Sequence, residues 1–334
     1  MKVRAEPKYY SGVCESMPDS YSNYDEFTIS WGSLDHYAVI KKLGGGRYSE
    51  AYEAINTANN QNCVIKILKP RERYTIKREV LILQALHNGP NIVKLYDVIK
   101  DPDTKIASLV FKSVSGDELE KVKLELTDYE VRYYLYELLR ALDYCNSRGI
   151  MHRDIKPENI IINRETKSMN LIDWGLAEFY FAEDEMSLSI STLNYKAPEI
   201  LINDGYYHYS VDMWSLGCTF AEMLFKKEIF LNGNSKPDQL VKIAKLCGSE
   251  ELFKVINKYE LEPDKDYIER IKNFPKQPLT KFINKNNTEL VNDHALDLLE
   301  KMLTYDKNER ITAKDAMQHP YFDPVLEMTG LITK

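Results

Sequence analysis

Residues 152–159 read His-Arg-Asp-Ile-Lys-Pro-Glu-Asn, and residues 173–175 read Asp-Trp-Gly. The first segment places a carboxylate, a lysine and an amide on one short loop, and the second adds a carboxylate on a turn. These are the groups that transfer of a phosphoryl group from a nucleotide requires. Asp154 can orient a hydroxyl and accept its proton, while Lys156 can neutralise charge on the moving phosphate. Asn159 and the aspartate of the turn offer hard oxygen ligands for Mg2+.

The order and wording of these segments resemble the catalytic loop and the metal-binding turn of protein kinases, so Asp173 joins Asn159 as a predicted metal ligand. The alternative is a surface loop that matches both segments by chance. Further along the chain, Ala197-Pro198-Glu199 and Arg310 also follow the kinase pattern, in which the glutamate and the arginine form a buried bridge. Asp212 is predicted to hold the backbone of the catalytic loop in support of the site.

The composition is that of an ordinary globular protein, with 334 residues of which 44% are hydrophobic and 28% charged. A net charge of −7 gives no support for a nucleic-acid or anionic-membrane partner. Neither a signal-peptide core nor an apolar stretch of about 18 residues is present. Five scattered cysteines without a CxxC pair are typical of reduced thiols. We therefore expect a cytoplasmic and/or nuclear protein with no nucleic-acid and no membrane partner.

The hydrophobic pattern changes about a third of the way along the chain, from strand-like alternation to helical spacing. This favours an α+β class and a bilobal protein kinase fold. Its N-lobe would be a small antiparallel β-sheet with one main helix, and its larger C-lobe would be mostly α-helical. The predicted organisation is an N-terminal extension packing on the kinase body at 1–32, an N-lobe at 33–113, a hinge at 114–118, a C-lobe at 119–325 and a C-terminal tail at 326–334.

Local signals place the individual elements. Alternation predicts strands around 38–40, 51–55, 63–68, 93–99 and 107–111. A capping box at Thr127 and Glu130 predicts the start of a helix that ends at Gly149. Other helices are predicted at 72–87, 211–225, 238–247, 293–303 and 312–319.

A glycine-rich run, Leu43-Gly44-Gly45-Gly46, lies between the first two predicted strands. Backbone N–H groups without side chains can approach phosphates closely, so the run is a candidate nucleotide flap. The alternative is a tight hairpin, which most such runs form. The kinase pattern G-x-G-x-x-G is met at Gly44 and Gly46, but its third position is Ser49. Ala51 stands where the pattern has valine, which should leave the nucleotide pocket roomier.

Lys66 lies inside an apolar strand, where a lysine usually points to solvent. The alternation places it on the same face as Val64, and a lysine that faces the cleft fits a phosphate ligand. It would need an anionic partner. Glu79 on the following helix is the candidate, and the alternative for this residue is an exposed helix charge.

The segment between 173 and 199 carries three consecutive acids, Glu183, Asp184 and Glu185. In kinases the arginine next to the catalytic aspartate, here Arg153, often waits for a phosphorylated residue in this segment. One hypothesis is that the fixed acids, together with the aromatic N-terminal extension, hold the segment in an active pose without phosphorylation. The alternative is a solvated acidic loop.

Several runs narrow the resemblance to the catalytic (alpha) subunits of casein kinase II. The most specific run is Leu171-Ile-Asp-Trp-Gly-Leu-Ala-Glu-Phe-Tyr180, with Trp174 where kinases usually have phenylalanine. Lys66-Ile67-Leu68-Lys69-Pro70 and Ile150-Met151-His152-Arg153-Asp154 continue the match. The resemblance extends from about Tyr24 to Phe322.

This resemblance implies a serine/threonine kinase that is active without phosphorylation, uses ATP or GTP with Mg2+, and prefers hydroxyls followed by acidic residues. It also implies a dimeric regulatory beta subunit, docked on the N-lobe sheet near Val39, Tyr52, Ile65 and Val110. The predicted nucleotide-contacting residues, including those that only the resemblance supplies, are Leu43, Gly44, Gly46, Ser49, Ala51, Val64, Lys66, Phe111, Val114 and Ile172.

The departures from this family concern substrate choice. Arg71-Glu72-Arg73-Tyr74-Thr75 replaces a dense lysine cluster, and only Lys77 and Arg78 remain beside Glu79. The family has two arginines where this chain has Ser189 and Leu193, so Lys196 alone remains of that acid-reading group. Attraction to acidic side chains scales with the number of cations nearby, so the preference should be weakened or changed.

Three readings therefore stay open. The first is a kinase of the casein kinase II type that acts on protein serine and threonine. The second is a related kinase with another specificity, either proline-directed or unselective. The third is a pseudokinase scaffold, against which the intact catalytic residues argue.

Overall fold

The computed structural model describes residues 6–46, 48–70, 73–328 and 330, and these form two lobes of different construction. The first lobe is built on one sheet and the second mainly on helices. The strands are β1 Tyr37–Gly45, β2 Ser49–Asn56, β3 Gln61–Leu68, β4 Leu95–Lys100, β5 Ala107–Lys112, β6 Asp117–Glu118, β7 Ile150–Met151, β8 Ile160–Asn163, β9 Ser168–Leu171 and β10 Glu178–Phe179. The α-helices are α1 Val13–Ser16, α2 Arg73–Ala85, α3 Leu119–Val122, α4 Asp128–Ser147, α5 Pro198–Leu201, α6 Ser210–Phe225, α7 Lys236–Cys247, α8 Ser249–Lys258, α9 Lys265–Ile268, α10 Asp293–Met302, α11 Ala313–Ala316 and α12 Asp323–Met328.

The N-lobe sheet is antiparallel, with the strand order β1-β2-β3-β5-β4. Its register sets Ala51 opposite Lys66, and Val64 opposite Phe111. Helix α2 contributes Val80, Ile82 and other apolar residues to the core, which is shared with the C-lobe. The predicted α+β fold is confirmed: a small antiparallel sheet with one main helix, followed by a larger helical lobe.

The opposite face of this sheet holds a second, smaller apolar cluster formed by Ala54, Cys63, Ile65, Ile99 and Val110. Tyr37 packs against it and donates a hydrogen bond to Asp97 at 2.9 Å. Ile65 is 2% exposed and Val110 is 0% exposed. Neighbouring strands and side chains therefore cover both residues, and the expected docking of a regulatory subunit near them stays a prediction.

The C-lobe forms around two long helices. The capping box of α4 is present, since Thr127 Oγ1 accepts from Glu130 N–H and the Glu130 side chain accepts from Thr127 N–H. The helix stops before Gly149, whose φ of +70° favours glycine, and where a Cβ would lie 2.4 Å from Cys14 Sγ. All residues of α6 are buried. The predicted helix at 312–319 is shorter than expected and is followed by a 3-10 helix at Pro320–Phe322, because proline cannot donate the next helical hydrogen bond.

The residues of the N-terminal extension that the structure describes lie against the C-lobe through tyrosine hydrogen bonds. The Tyr9 hydroxyl donates to Asp315 at 3.0 Å, and Lys8 Nζ lies 2.9 Å from the same carboxylate. Tyr10 donates to Asp143 at 3.1 Å, and Tyr21 to the carbonyl of Arg148 at 2.8 Å. The Tyr21 ring also contacts Phe179 edge-on. Residues 1–5 of the predicted extension, and residues 329 and 331–334 of the predicted tail, lie outside the described residues.

The extension also reaches the N-lobe. Lys77 Nζ on α2 donates to the carbonyl of Asp25 at 2.6 Å, and Gly32 forms a parallel bridge with Ile99 of β4. The extension therefore contacts both lobes. Across the described part of the chain, no helix combines the length and apolarity that a membrane span needs.

Candidate active site

The catalytic loop 152–159 is fixed by one carboxylate from α6. Asp212 accepts hydrogen bonds from the backbone N–H groups of His152 at 2.8 Å and Arg153 at 2.7 Å. Burial raises the pKa of Asp212, and the nearby His152, these two N–H groups and Arg153 oppose that shift. The sequence predicted this contact. Because Asp212 lies on helix α6, it anchors the loop to a helix that is buried along its whole length.

Asp154 lies at the centre of the loop with both carboxylate oxygens engaged. Its Oδ1 accepts from the N–H of Thr192 at 3.0 Å and from the Thr192 hydroxyl at 3.1 Å. Its Oδ2 accepts from Asn159 Nδ2 at 3.1 Å and lies 3.0 Å from Lys156 Nζ. The same ammonium group donates to Thr192 Oγ1 at 2.8 Å. The carboxylate is therefore oriented by its own loop and by the segment that contains Thr192.

Thr192 was missed by sequence reasoning. It lies 38 residues from Asp154 in the chain, and the two meet only because the segment folds back over the catalytic loop. Its position five residues before Ala197-Pro198-Glu199 is the signal that could have found it. That run is held by a buried bridge, in which Glu199 Oε1 and Oε2 accept from Arg310 at 2.7 and 2.9 Å.

Lys66 connects the two lobes through its ammonium group. Its Nζ lies 2.7 Å from Glu79 Oε1 on α2 and 2.7 Å from Asp173 Oδ1 on the turn. Burial alone would lower the pKa of Lys66, but the two carboxylates outweigh burial and raise it. The Lys66 ammonium in turn holds the pKa of Asp173 well below its usual range. Both groups are therefore charged at neutral pH.

Asn159 and Asp173 fit the Mg2+ site that the sequence predicts. Asn159 Nδ2 is engaged with Asp154, so its amide oxygen is the atom that it can offer to a cation. Asp173 is an ionised carboxylate on a turn with a φ of +58°, which directs it toward Lys66 and the cleft. Mg2+ is usually held by one or two carboxylates together with phosphate oxygens and water, so this pair suffices. No denser cluster of His, Cys, Asp and Glu occurs within the described ranges.

These groups surround a cavity of about 390 Å³ between the lobes. Of the predicted nucleotide residues, Gly46, Ser49 and Lys66 line it, together with Asp154, Lys156 and Asp173. A Cβ placed on Gly44 or Gly46 would meet nothing within 4 Å, and at Gly46 this open space belongs to the cavity. The remaining predicted nucleotide residues do not line this cavity. They are Leu43, which is exposed, Gly44, Ala51, Val64, Phe111, Val114 and Ile172.

A comparison with protein-family models matches residues 37–322 to the protein kinase domain. The chain belongs to the protein kinase family. The match begins at the first residue of β1 and ends at the last residue of the 3-10 helix Pro320–Phe322. It therefore covers both lobes of the kinase and every predicted site residue.

The segment between 173 and 199, here called the activation segment, is held by an acidic residue that the sequence prediction did not select. Arg153 donates to the Leu176 carbonyl at 2.7 Å and to the Tyr207 hydroxyl at 3.0 Å, and its Nη2 lies 3.3 Å from Glu178 Oε2. Arg78 Nη1 donates to the same carboxylate at 2.7 Å. Glu178 is brought here by the pairing of β10 with β7, which sets it opposite Met151.

Of the two interpretations of the acidic run Glu183, Asp184 and Glu185, the structure favours a solvated loop. All three side chains are exposed, whereas Arg153 is buried beneath the β7–β10 pair. The burial of Arg153 limits it to partners that lie inside the fold, and Glu178 is the acid that the fold places there.

The three cations expected to read acidic substrates are all bound within the kinase. Lys77 donates to the Asp25 carbonyl, and Arg78 to Glu178. Lys196 is 7% exposed, and its Nζ donates to the carbonyls of Ile190 and Ser191, the latter at 2.8 Å. An acidic side chain of a substrate would therefore have to compete with these two carbonyls for the ammonium group of Lys196.

Proposed function

We propose that this protein is a serine/threonine kinase that transfers the γ-phosphoryl group of ATP, with GTP as a second donor, to protein hydroxyls. The observation that carries the proposal is the orientation of Asp154 by Thr192, Asn159 and Lys156 at the mouth of a cavity between the lobes. Family membership supports phosphoryl transfer in general. The choice of serine and threonine is supported by the resemblance to casein kinase II catalytic subunits.

In this proposal Asp154 orients the acceptor hydroxyl and accepts its proton. Lys156 is the cation nearest to that carboxylate and stabilises negative charge on the group in transfer. Lys66, held by Glu79, positions the α- and β-phosphates. Asn159 and Asp173 would hold Mg2+, which when bound would neutralise charge on the phosphates.

We further propose that the kinase is active without phosphorylation of its activation segment. Glu178 supplies the negative charge between Arg153 and Arg78 that a phosphate would otherwise supply. The extension adds contacts to the same segment, since Glu15 Oε1 accepts from Ala182 N–H at 3.3 Å and Tyr21 packs on Phe179.

A regulatory subunit of the casein kinase II beta type would dock on the N-lobe sheet at Val39 and Tyr52. Val39 is 55% exposed and its neighbour Ile40 is 52% exposed, which favours an apolar contact. A Val39→Asp variant should then bind a beta-type dimer more weakly in titration calorimetry. Equal affinity for both forms would count against this surface.

The experiment that tests the main proposal uses the full chain made in bacteria and treated with a phosphatase. It is incubated with Mg2+ and labelled ATP or GTP, and with peptides that differ only in an acceptor serine, threonine or tyrosine. Transfer to serine and threonine, lost in Asp154→Asn, is the expected result. Transfer to tyrosine alone would exclude the proposed serine/threonine specificity. Transfer only after treatment with an upstream kinase would exclude the proposed activity without phosphorylation.

A second candidate function is a scaffold that binds nucleotide without transfer. The departure that leaves this reading open is Ser49, which stands where the kinase pattern has the third glycine of the nucleotide loop. Nucleotide binding without transfer to any peptide would favour the scaffold.

A further inference from the structure

A lysine whose side chain is completely buried, Lys123, directly follows helix α3. Its Nζ donates to Glu222 Oε2 on α6 at 2.8 Å. It also donates to Glu120 Oε2 at 2.6 Å and to the carbonyl of Glu228, so each of its three N–H groups has an acceptor. Glu222 is 1% exposed, and its Oε1 accepts from the Phe230 N–H at 3.2 Å. Because a buried charge that loses its partner is strongly destabilising, this ion pair fixes the end of α3 against α6.

Helix α3 depends on such contacts for its position. It has four residues, Leu119–Val122, and helices this short are not stable in water by themselves. It packs against strands β6 and β8 and against the 3-10 helix Pro157–Asn159. Within that 3-10 helix, Asn159 donates to Asp154 Oδ2 at 3.1 Å. A displacement of α3 would therefore remove packing from the segment that orients the catalytic carboxylate.

Glu222 is the member of this cluster whose charge changes near neutral pH. Burial raises its pKa to about 7, although Lys123 opposes the shift. Burial alone would lower the pKa of Lys123, but Glu120 and Glu222 outweigh burial and raise it. The other titratable groups near Glu222 are the Tyr195 hydroxyl, which donates to it at 3.2 Å, and the Cys218 thiol on α6. Burial raises the pKa of both groups, so both stay protonated.

We infer that Lys123 and Glu222 are positioning residues for phosphoryl transfer, which hold the catalytic loop in place by joining α3 to α6. This inference rests on the proposed kinase function. Neither residue lines the cavity between the lobes, so both act through α3 and the 3-10 helix next to it. Protonation of Glu222 removes the charge paired with the ammonium group, and a neutral acceptor binds an ammonium group less strongly than a carboxylate does. The support should therefore weaken as the pH falls through about 7.

The test measures kcat/KM of the full chain for one serine peptide between about pH 6 and about pH 8.5. Glu222→Gln keeps the shape of the side chain and carries no charge at any pH. The wild type should exceed it by about tenfold at the upper pH and by less than about twofold at the lower pH. This ratio cancels the titration of every group that the two proteins share. Glu228→Gln is the matched control, because it changes an exposed carboxylate and keeps the carbonyl that Lys123 uses, and it should match the wild type throughout.

A double variant keeps the test decisive if Glu222→Gln fails to fold, as judged by circular dichroism. Lys123→Met combined with Glu222→Leu replaces both charges with apolar groups, which buried ion pairs often tolerate. The ratio of wild type to this variant should still rise by about tenfold across the same pH range. A ratio that stays constant with pH, or an equal change in Glu228→Gln, would overturn the inference and leave the proposed function intact. Transfer to no peptide at any pH would reject the proposed function and the inference with it.

Discussion

Lys66 and Lys196 line the same cavity, and each is largely enclosed, but the two regions that hold them treat the positive charge in opposite ways. Lys66, on the N-lobe sheet, lies between two carboxylates that raise its pKa. Lys196, in the wall of the C-lobe, binds two carbonyls, and burial lowers its pKa to about 8, with Lys236 adding to the effect. A lysine set among carboxylates keeps its charge for a phosphate. A lysine set among carbonyls shapes the backbone instead.

The largest effect is expected when the group that takes part in phosphoryl transfer is changed. Asp154→Asn keeps a side chain that can accept from Thr192, but it cannot accept a proton. We expect kcat to fall by roughly a thousandfold for every peptide, with no change in the ratios between peptides and nearly unchanged nucleotide affinity. Steady-state kinetics and nucleotide calorimetry measure these quantities. A variant that keeps more than a few per cent of the activity would show that Asp154 is not the essential group.

Exchanging each of the two lysines for methionine tests the comparison directly. Lys66→Met removes the cation that positions phosphates, so turnover should fall by at least about a hundredfold with all peptides. Lys196→Met leaves the phosphate-positioning cation in place, so transfer should be retained. An equal loss of turnover in Lys196→Met and Lys66→Met would contradict the different roles assigned to the two lysines.

A smaller effect is expected at the acid that orders the activation segment. Glu178→Gln removes the charge shared by Arg153 and Arg78, and hydrogen bonds to charged groups contribute about 1.5–3 kcal/mol. Activity of the unphosphorylated protein should therefore fall about tenfold. Glu185→Gln is the matched control at an exposed acid and should change activity less than twofold. If the control were the more damaging variant, the acidic run at 183–185 would hold the segment after all.

The smallest effect concerns pH. The pKa of Lys196 is lowered from 10.5 to about 8, chiefly because of burial. Between these two values the unfolded chain binds more protons than the folded chain at this site, so this contribution to the free energy of unfolding rises with pH. Urea unfolding at pH 7 and pH 9.5 should show a larger relative gain for the wild type than for Lys196→Met. Parallel behaviour of the two proteins would mean that Lys196 is not held in a low-pKa environment.

The catalytic groups could be predicted from the sequence because they lie at fixed spacings within short segments. Asp154, Lys156 and Asn159 lie on one loop, and the contacts of Asp212 and of Lys66 with Glu79 follow from the family pattern that the loop identifies. The α+β class follows from the change of hydrophobic period, which is likewise a local property.

The substrate side is harder to predict, because its contacts join segments far apart in sequence. Nothing near Glu178 indicates that it pairs with Arg78, which is 100 residues away. The inward turn of Lys196 depends on the conformation of Ser191, and a serine in a left-handed turn leaves no compositional signal. The sequence places Ile65 and Val110 in strands but does not indicate which face of the sheet is covered. The cluster around Ala54 shows that the face with these two residues is covered.

The tyrosines of the N-terminal extension set an order of events during synthesis. Lys8 and Tyr9 bind Asp315, a partner more than 300 residues later in the chain, and Tyr10 binds Asp143. The first of these contacts can form only after Asp315 has left the ribosome, although the extension itself emerges before either lobe. Contacts of such long sequence separation form late in folding, because loop closure must come first. Docking of Lys8 and Tyr9 therefore reports that the C-lobe has been synthesised as far as Asp315.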